Sequence, residues 1–210
     1  MYIDLTHTLK NNITVYPGTT KPSFEQVSNI EKDGFAEMDM MINSHLGTHI
    51  DAPAHILLGA KTLEEFPIDK FIGAGLALDC TELNSITLDF LKPHEATIKK
   101  VDFILFYTGW QDKWNTPNYF DEFPTLTQEA TKWLVTFSLK AVGFDVISVD
   151  KMTDEALLNH HILLEKEILI IENMTNLDKL ISKEFELNCI PLKIKNSDAS
   201  PVRAFARIKK

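Results

Sequence analysis

The chain has 210 residues, 44% of them hydrophobic and 24% charged, a composition of one ordinary globular domain spanning residues 1–210, with no linker arguing for a second. Its formal net charge of −9 excludes the clustered Lys and Arg of a nucleic-acid or anionic-membrane surface. Only Arg203, Arg207, Lys209 and Lys210 are locally basic, and they read as a solvated tail. Cys80 and Cys189 are far apart in the sequence, without metal or redox spacing, so they read as reduced thiols of a cytoplasmic protein. Residues 1–10 carry Asp4 and lack the apolar core of a signal peptide, and no stretch approaches a membrane span.

In chain order, the first hundred residues are poor in helix signals and read as strands and irregular loops, with Pro17-Gly18 as a turn. Val101 to Tyr107 is a short run rich in aromatic and β-branched residues, which predicts a buried strand ended by Thr108-Gly109. Thr127 reads as a helix N-cap, with Glu129 in the first turn and Ala130, Trp133, Leu134 and Phe137 at helical spacing. Ala141 to Val149 predicts a second strand, Asp154 to Glu167 a helix, and Ile168 to Ile171 a third strand ending on Glu172. Strand, helix, strand, helix, strand is an α/β pattern with parallel strands.

The chemistry concentrates in Ser44 to His55, SHLGTHIDAPAH, which holds three of the seven histidines together with Asp51. His45, Gly47, His49, Asp51, Pro53 and His55 are all odd-numbered and would share one face of an extended chain. A straight strand would hold the Cα atoms of His45 and His49 about 13 Å apart at ~3.3 Å per residue. Imidazoles that bond a metal at about 2 Å barely meet one ion across that gap. The chain is therefore expected to bend, and Gly47 permits it; a helix is opposed by Pro53 and would turn Asp51 away. Imidazole and carboxylate without thiolate suit zinc or manganese. A second group is His160-His161 with Glu172, which sits at the carboxyl end of a predicted buried strand, where open α/β sheets place ligand sites. Spacing alone leaves His160 and His161 as alternatives.

At these residues the chain resembles the cyclase family of metal-dependent hydrolases, bacterial kynurenine formamidases included. The resemblance covers nearly the whole chain. It runs through Ile3-Asp4-Leu5-Thr6, Tyr16-Pro17-Gly18 and the His45-x-Gly47-Thr48-His49-x-Asp51-x-Pro53-x-His55 motif. It continues through Val142-Gly143-x-Asp145 with Ser148-Val149-Asp150, His160 with Glu172-Asn173, and Ser200 to Ala204. It implies a single compact β/β/α domain of the α/β class with a mixed, swivelling-domain-like sheet, in dimers or larger homo-oligomers. It also implies two divalent ions, Zn2+ or Mn2+. His45, His49 and Asp51 would hold one, His160 would complete the other, and Asp51 and Glu172 would reach both. His55 would be the acid/base. The chain departs from the formamidase pattern at Tyr16 and Thr19, where Trp and Asp are typical, and in the stretch Gln111 to Phe123.

The implied reaction is hydrolysis of an aryl formamide or related small amide, N-formylkynurenine-like, by a metal-bound hydroxide. His55 would pass a proton to the leaving nitrogen. Phe66, Tyr107, Trp110 or Trp114 are expected to wall the pocket. The alternatives are hydrolytic opening of a cyclic amide such as isatin, and a non-catalytic metal-binding module. An unligated His55 beside the metals argues against the module.

Overall fold

The computed structural model describes residues 1–209, so Lys210 of the basic end lies outside the described residues. The chain opens with β1 (Tyr2–Asp4), then β2 (Ser23–Ser28), one helical turn α1 (Ile30–Asp33) and β3 (Glu37–Met41). β4 (His49–Asp51) and β5 (Ile72–Asp79) follow, then β6 (Ser85–Ile86), α2 (Leu88–Leu91), α3 (Glu95–Ile98) and β7 (Phe103–Tyr107). The second half holds β8 (Thr125–Leu126), α4 (Gln128–Leu134), β9 (Ala141–Phe144), α5 (Leu158–Leu164), β10 (Leu169–Glu172), β11 (Phe185–Asn188), β12 (Ala199–Pro201) and β13 (Phe205–Ile208).

Nine strands form one mixed sheet in the order β1-β13-β11-β5-β7-β9-β10-β4-β12. Its centre, β5, β7, β9 and β10, is parallel, as the strand–helix–strand pattern requires. The flanking strands are antiparallel. Parallel strands are covered on both faces, and both faces carry a core. One is built on Leu105, Ile171 and Phe185, the other on Phe106, Phe144 and Ile170. The mixed α/β architecture is the one expected. No helix among the described residues is long and apolar enough to cross a membrane.

Several predicted boundaries move. The strand from Ala141 stops at Phe144 rather than Val149. There the Asp145 carboxylate turns away to accept hydrogen bonds from the Thr108 backbone, the Thr108 hydroxyl and the Gln111 backbone. The helix expected from Asp154 starts only at Leu158, because Leu157 takes φ +47°. It ends at Leu164, because Glu167 takes φ +54° and the chain reverses, with the Ile168 N–H returning to the Leu163 carbonyl at 3.1 Å. α4 begins as read: the Thr127 hydroxyl accepts from the Ala130 N–H at 3.3 Å. It ends at Leu134, leaving Phe137 outside to meet Trp133 edge-on at 4.7 Å between ring centres.

A histidine and carboxylate cluster at the sheet switch

β4 lies between β10 and β12, with His49 opposite Glu172 and Asp51 opposite Ile170 in register. Directly paired residues and residues two apart share a sheet face, so His49, Asp51 and Glu172 point to one side, at the carboxyl end of β10. Before β4 the chain turns at Gly47, φ +63°. This is the expected bend, and it brings the His45 ring to 5.0 Å from that of His49. After β4, Pro53–His55 form a single 3-10 turn that returns the His55 ring to 4.2 Å from His45. His160 enters from α5, its Nε2 at 3.5 Å from Glu172 Oε1. Three stretches of chain, residues 45–55, α5 and the end of β10, thus converge, and of the neighbouring pair His160 and His161 it is His160 that is buried in the cluster.

The imidazoles are held by fixed partners, which sets the nitrogen each leaves free. His49 Nδ1–H donates to the Gly47 carbonyl at 2.8 Å, so Nε2 faces Asp51 Oδ1 at 3.3 Å and Glu172 Oε2 at 3.4 Å. His160 Nδ1–H donates to Asp150 at 2.7 Å, leaving Nε2 for Glu172. Asp150 also accepts from the backbone of Asn159 and His160. It thereby caps an α5 whose own N-cap residue has no capping side chain. His45 lies between two carboxylates, Nδ1 at 3.0 Å from Asp51 and Nε2 at 2.9 Å from Asp198. Asp198 also stands 3.5 Å from His55 Nδ1.

The electrostatics follow from this packing. Burial opposes charge on His45, yet the Asp51 and Asp198 carboxylates raise its pKa to about 10. His160 is likewise disfavoured by burial and raised to about 10 by Asp150 and Glu172. Burial would raise Asp51, but His49 and His45 hold it well below the usual carboxylate range. Glu172 is lowered against its own burial by His160 and His49. Even so, His49 Nε2 and both carboxylate oxygens of Asp51 are buried without a well-directed hydrogen bond, although His45 Nδ1 and His49 Nε2 stand 3.0 and 3.3 Å from Asp51 Oδ1. Buried polar atoms without partners cost about 1–3 kcal/mol each, so a cluster of three at one point calls for a cation. Ligand atoms of His49, Asp51 and Glu172 lie within 4.8 Å of one another, as do those of His45, Asp51 and His55, with Asp51 common to both groups. An imidazole and carboxylate set without thiolate fits a divalent metal ion such as zinc or manganese.

The cluster floors a cavity of about 350 Å3. Its remaining walls are Tyr16, Thr19, Asn43, Ile147, Ser148, Lys151 and Leu157. The aromatics expected as walls stand elsewhere. Phe66 and Tyr107 pack into the core, Trp110 Nε1 donates to the Tyr119 carbonyl, and Trp114 stacks on His7 at 4.2 Å. Tyr16 and Thr19, the two departures from the formamidase pattern, both line the cavity. Asp198 was not legible as a site residue, since it lies 153 positions from His45 and no local motif joins them.

The sequence profile described as "Putative cyclase" matches residues 3–151. The chain belongs to the cyclase family. Kynurenine formamidase of Bacillus anthracis is 32% identical over 207 residues, covering 98% of this chain and 97% of that protein. Among solved structures, an isatin hydrolase bound to the product analogue thioisatinate superposes with a TM-score of 0.88 at 24% identity, over 100% of this chain and 92% of its own. A predicted metal-dependent hydrolase from Bacillus stearothermophilus superposes at 0.81 with 25% identity, over 98% and 97%. Cyclase-family membership accounts for the mixed sheet.

Proposed function

We propose that this cyclase-family chain is a single-domain, metal-dependent hydrolase of an aryl formamide or related small amide. The observation that carries the reading is the set of buried atoms without a hydrogen-bond partner, His49 Nε2 and both Asp51 oxygens, at and beneath the wall of a cavity of about 350 Å3 that His49 lines. His45, His49, Asp51, His160 and Glu172 would hold two divalent ions, with Asp51 and Glu172 reaching both. When bound, such ions polarise a carbonyl and make water nucleophilic near neutral pH.

The chain's own residues do the rest. Asp150 and the Gly47 carbonyl fix the ligand histidines in the tautomers described above. Asp198 stands 3.5 Å from His55 Nδ1, and His55 itself lines the cavity. From there His55 passes a proton to the leaving nitrogen. Tyr16, Ile147 and Leu157 give the aryl group an apolar wall. The identity to kynurenine formamidases supports an aryl formamide as substrate, and the departures at Tyr16 and Thr19 would act on its fit. The buried, unpaired Cys80 and Cys189 support a reducing, cytoplasmic location. Exposed Phe35, Met38, Met40 and Met41 around the β2–β3 hairpin support a homodimer or larger assembly.

The test is turnover of N-formylkynurenine, formanilide and isatin by metal-reconstituted protein. Hydrolysis of either formamide supports the reading. Opening of isatin alone would move the protein to cyclic amides, and bound metal with no turnover of any would make it a binding module.

A further inference from the structure

Asn173 follows Glu172 directly and takes φ +56°, in the left-handed region that Asn enters more readily than most residues but still at a cost. Such strain persists where the surroundings hold it, and here every polar group of the residue is held. Its backbone N–H donates to the Val146 carbonyl at 2.9 Å, and its carbonyl accepts from the Thr48 hydroxyl at 2.6 Å. Its side-chain Nδ2 donates to the Gly47 carbonyl at 3.0 Å, the same oxygen that accepts from His49 Nδ1. Its Oδ1 accepts from the Tyr119 hydroxyl at 2.8 Å. Asn173 thus ties the end of β10, which carries Glu172, to the bend that carries His49.

Tyr119 belongs to Gln111 to Phe123, the stretch that departs from the formamidase pattern, and no residue of that stretch is on the wall of the histidine cavity. Its side chain is fully buried. Trp114 meets the ring edge-on at 4.9 Å, and Trp110 Nε1 donates to the Tyr119 carbonyl at 3.0 Å. Burial holds the phenol well above its ordinary value, so the hydroxyl stays a donor. Two acceptors are in reach, the Asp145 carbonyl at 3.1 Å and the nearer Asn173 Oδ1.

We infer that Tyr119 is a positioning residue: through the Asn173 amide and the Gly47 carbonyl, its hydroxyl fixes the His49 ring so that Nε2 faces Asp51 and Glu172. The inference rests on the metal reading of the cluster and adds to it a residue that offers no ligand atom. The physical reason is the direction of the amide. With Oδ1 taken by Tyr119, Nδ2 is the atom left for Gly47, and a turned amide would set oxygen against oxygen there. Nδ2 holds the Gly47 carbonyl beside His49 Nδ1, itself 3.5 Å from Nδ2, and this favours the tautomer that leaves Nε2 free. Removing the hydroxyl leaves Oδ1 buried without that donor and loosens the amide.

Zinc competition against a chromophoric chelator tests this on folded protein. Tyr119→Phe keeps the ring, and it should weaken the zinc step that His49→Ala abolishes by about five- to tenfold, near the low end of what loss of a partner behind a metal ligand costs. Asn173→Gly, which suits the left-handed backbone, should weaken the same step about 10- to 100-fold. In the Asn173→Gly background, Tyr119→Phe should cost less than about twofold more, because its effect passes through the amide. Unchanged zinc affinity in Tyr119→Phe, or the same fall with and without the Asn173 amide, overturns the proposal, since Tyr119 would then serve the fold alone. Nitrogen NMR of the histidine side chains in metal-free protein, in mildly alkaline buffer, reads the geometry without an ion. His49 should be the Nδ1–H tautomer in the native chain and a mixture in Tyr119→Phe; identical tautomers overturn the proposal. If the native protein takes up no zinc, the metal reading fails; in that case, or if Asn173→Gly does not fold, the tautomer decides the role of Tyr119.

Discussion

Replacing His55 by Ala separates a proton shuttle from a metal ligand. The ring is about a quarter exposed, 27%, and its Nδ1 reaches only Asp198, at 3.5 Å. Removing it opens no core cavity, so stability should change by no more than about 1 kcal/mol. The proton it supplies matters in the transition state, and loss of general acid–base help costs about 10²–10⁴-fold, or about 2.7–5.5 kcal/mol of barrier. The fall should appear in kcat with KM little changed. Asp198→Asn, which keeps the ring but loses the carboxylate that orients it, should cost about tenfold. Steady-state kinetics, metal content by elemental analysis and thermal melting on the same preparations make the assay. Because ligand atoms of His55, His45 and Asp51 lie within 4.8 Å, the metal content is decisive. Loss of an ion in His55→Ala would make His55 a ligand and displace one of the five proposed, and unchanged kcat would refute the shuttle.

His160→Ala should abolish activity and release metal, while His161→Ala keeps both, because only His160 faces Glu172; the reverse would contradict the site. Gly47→Ala should lower stability by about 1–3 kcal/mol in thermal or urea melts, since φ is +63° and the new Cβ would meet Leu9 Cδ2 at 2.7 Å; an unchanged melt would show that the bend is not held there. His7, stacked on Trp114, is lowered by burial to about 4. With the folded value below the ordinary 6.5, the unfolded chain takes the proton first, so stability is full above about pH 6.5 and falls as pH drops toward 4. His7→Phe should lose up to about 2–3 kcal/mol less than the native protein over that window, measured by urea melts at each pH; parallel pH curves would refute it.

What was legible in the sequence had a local physical cause. The strand at Phe103–Tyr107, the Thr127 cap and the strand ending on Glu172 each follow from apolar patterning or capping within a few residues. The SHLGTHIDAPAH segment carried its own geometry, because only a bend at Gly47 brings His45 and His49 together. The misplaced boundaries were decided by distant partners. Asp145 leaves β9 for Thr108 and Gln111, and α5 starts at Leu158 because Asp150, eight residues earlier, supplies the cap. Asp198 joined the site by pairing of β12 with β4, which no spacing announces. The cavity walls were misread for the same reason: aromatic composition does not say which rings face the core, and Trp114 faces His7.

The central claim is that Asp51 is the shared ligand of a divalent metal centre, and metal content measures it directly. Protein reconstituted with zinc or manganese and freed of excess by gel filtration should hold two ions per chain by elemental analysis. Asp51→Ala should lose more of them than any single histidine variant, because Asp51 stands in both ligand groups and both of its oxygens are buried. Native protein that retains no divalent ion after reconstitution, or an Asp51→Ala chain that retains as much as the native one, would contradict the account.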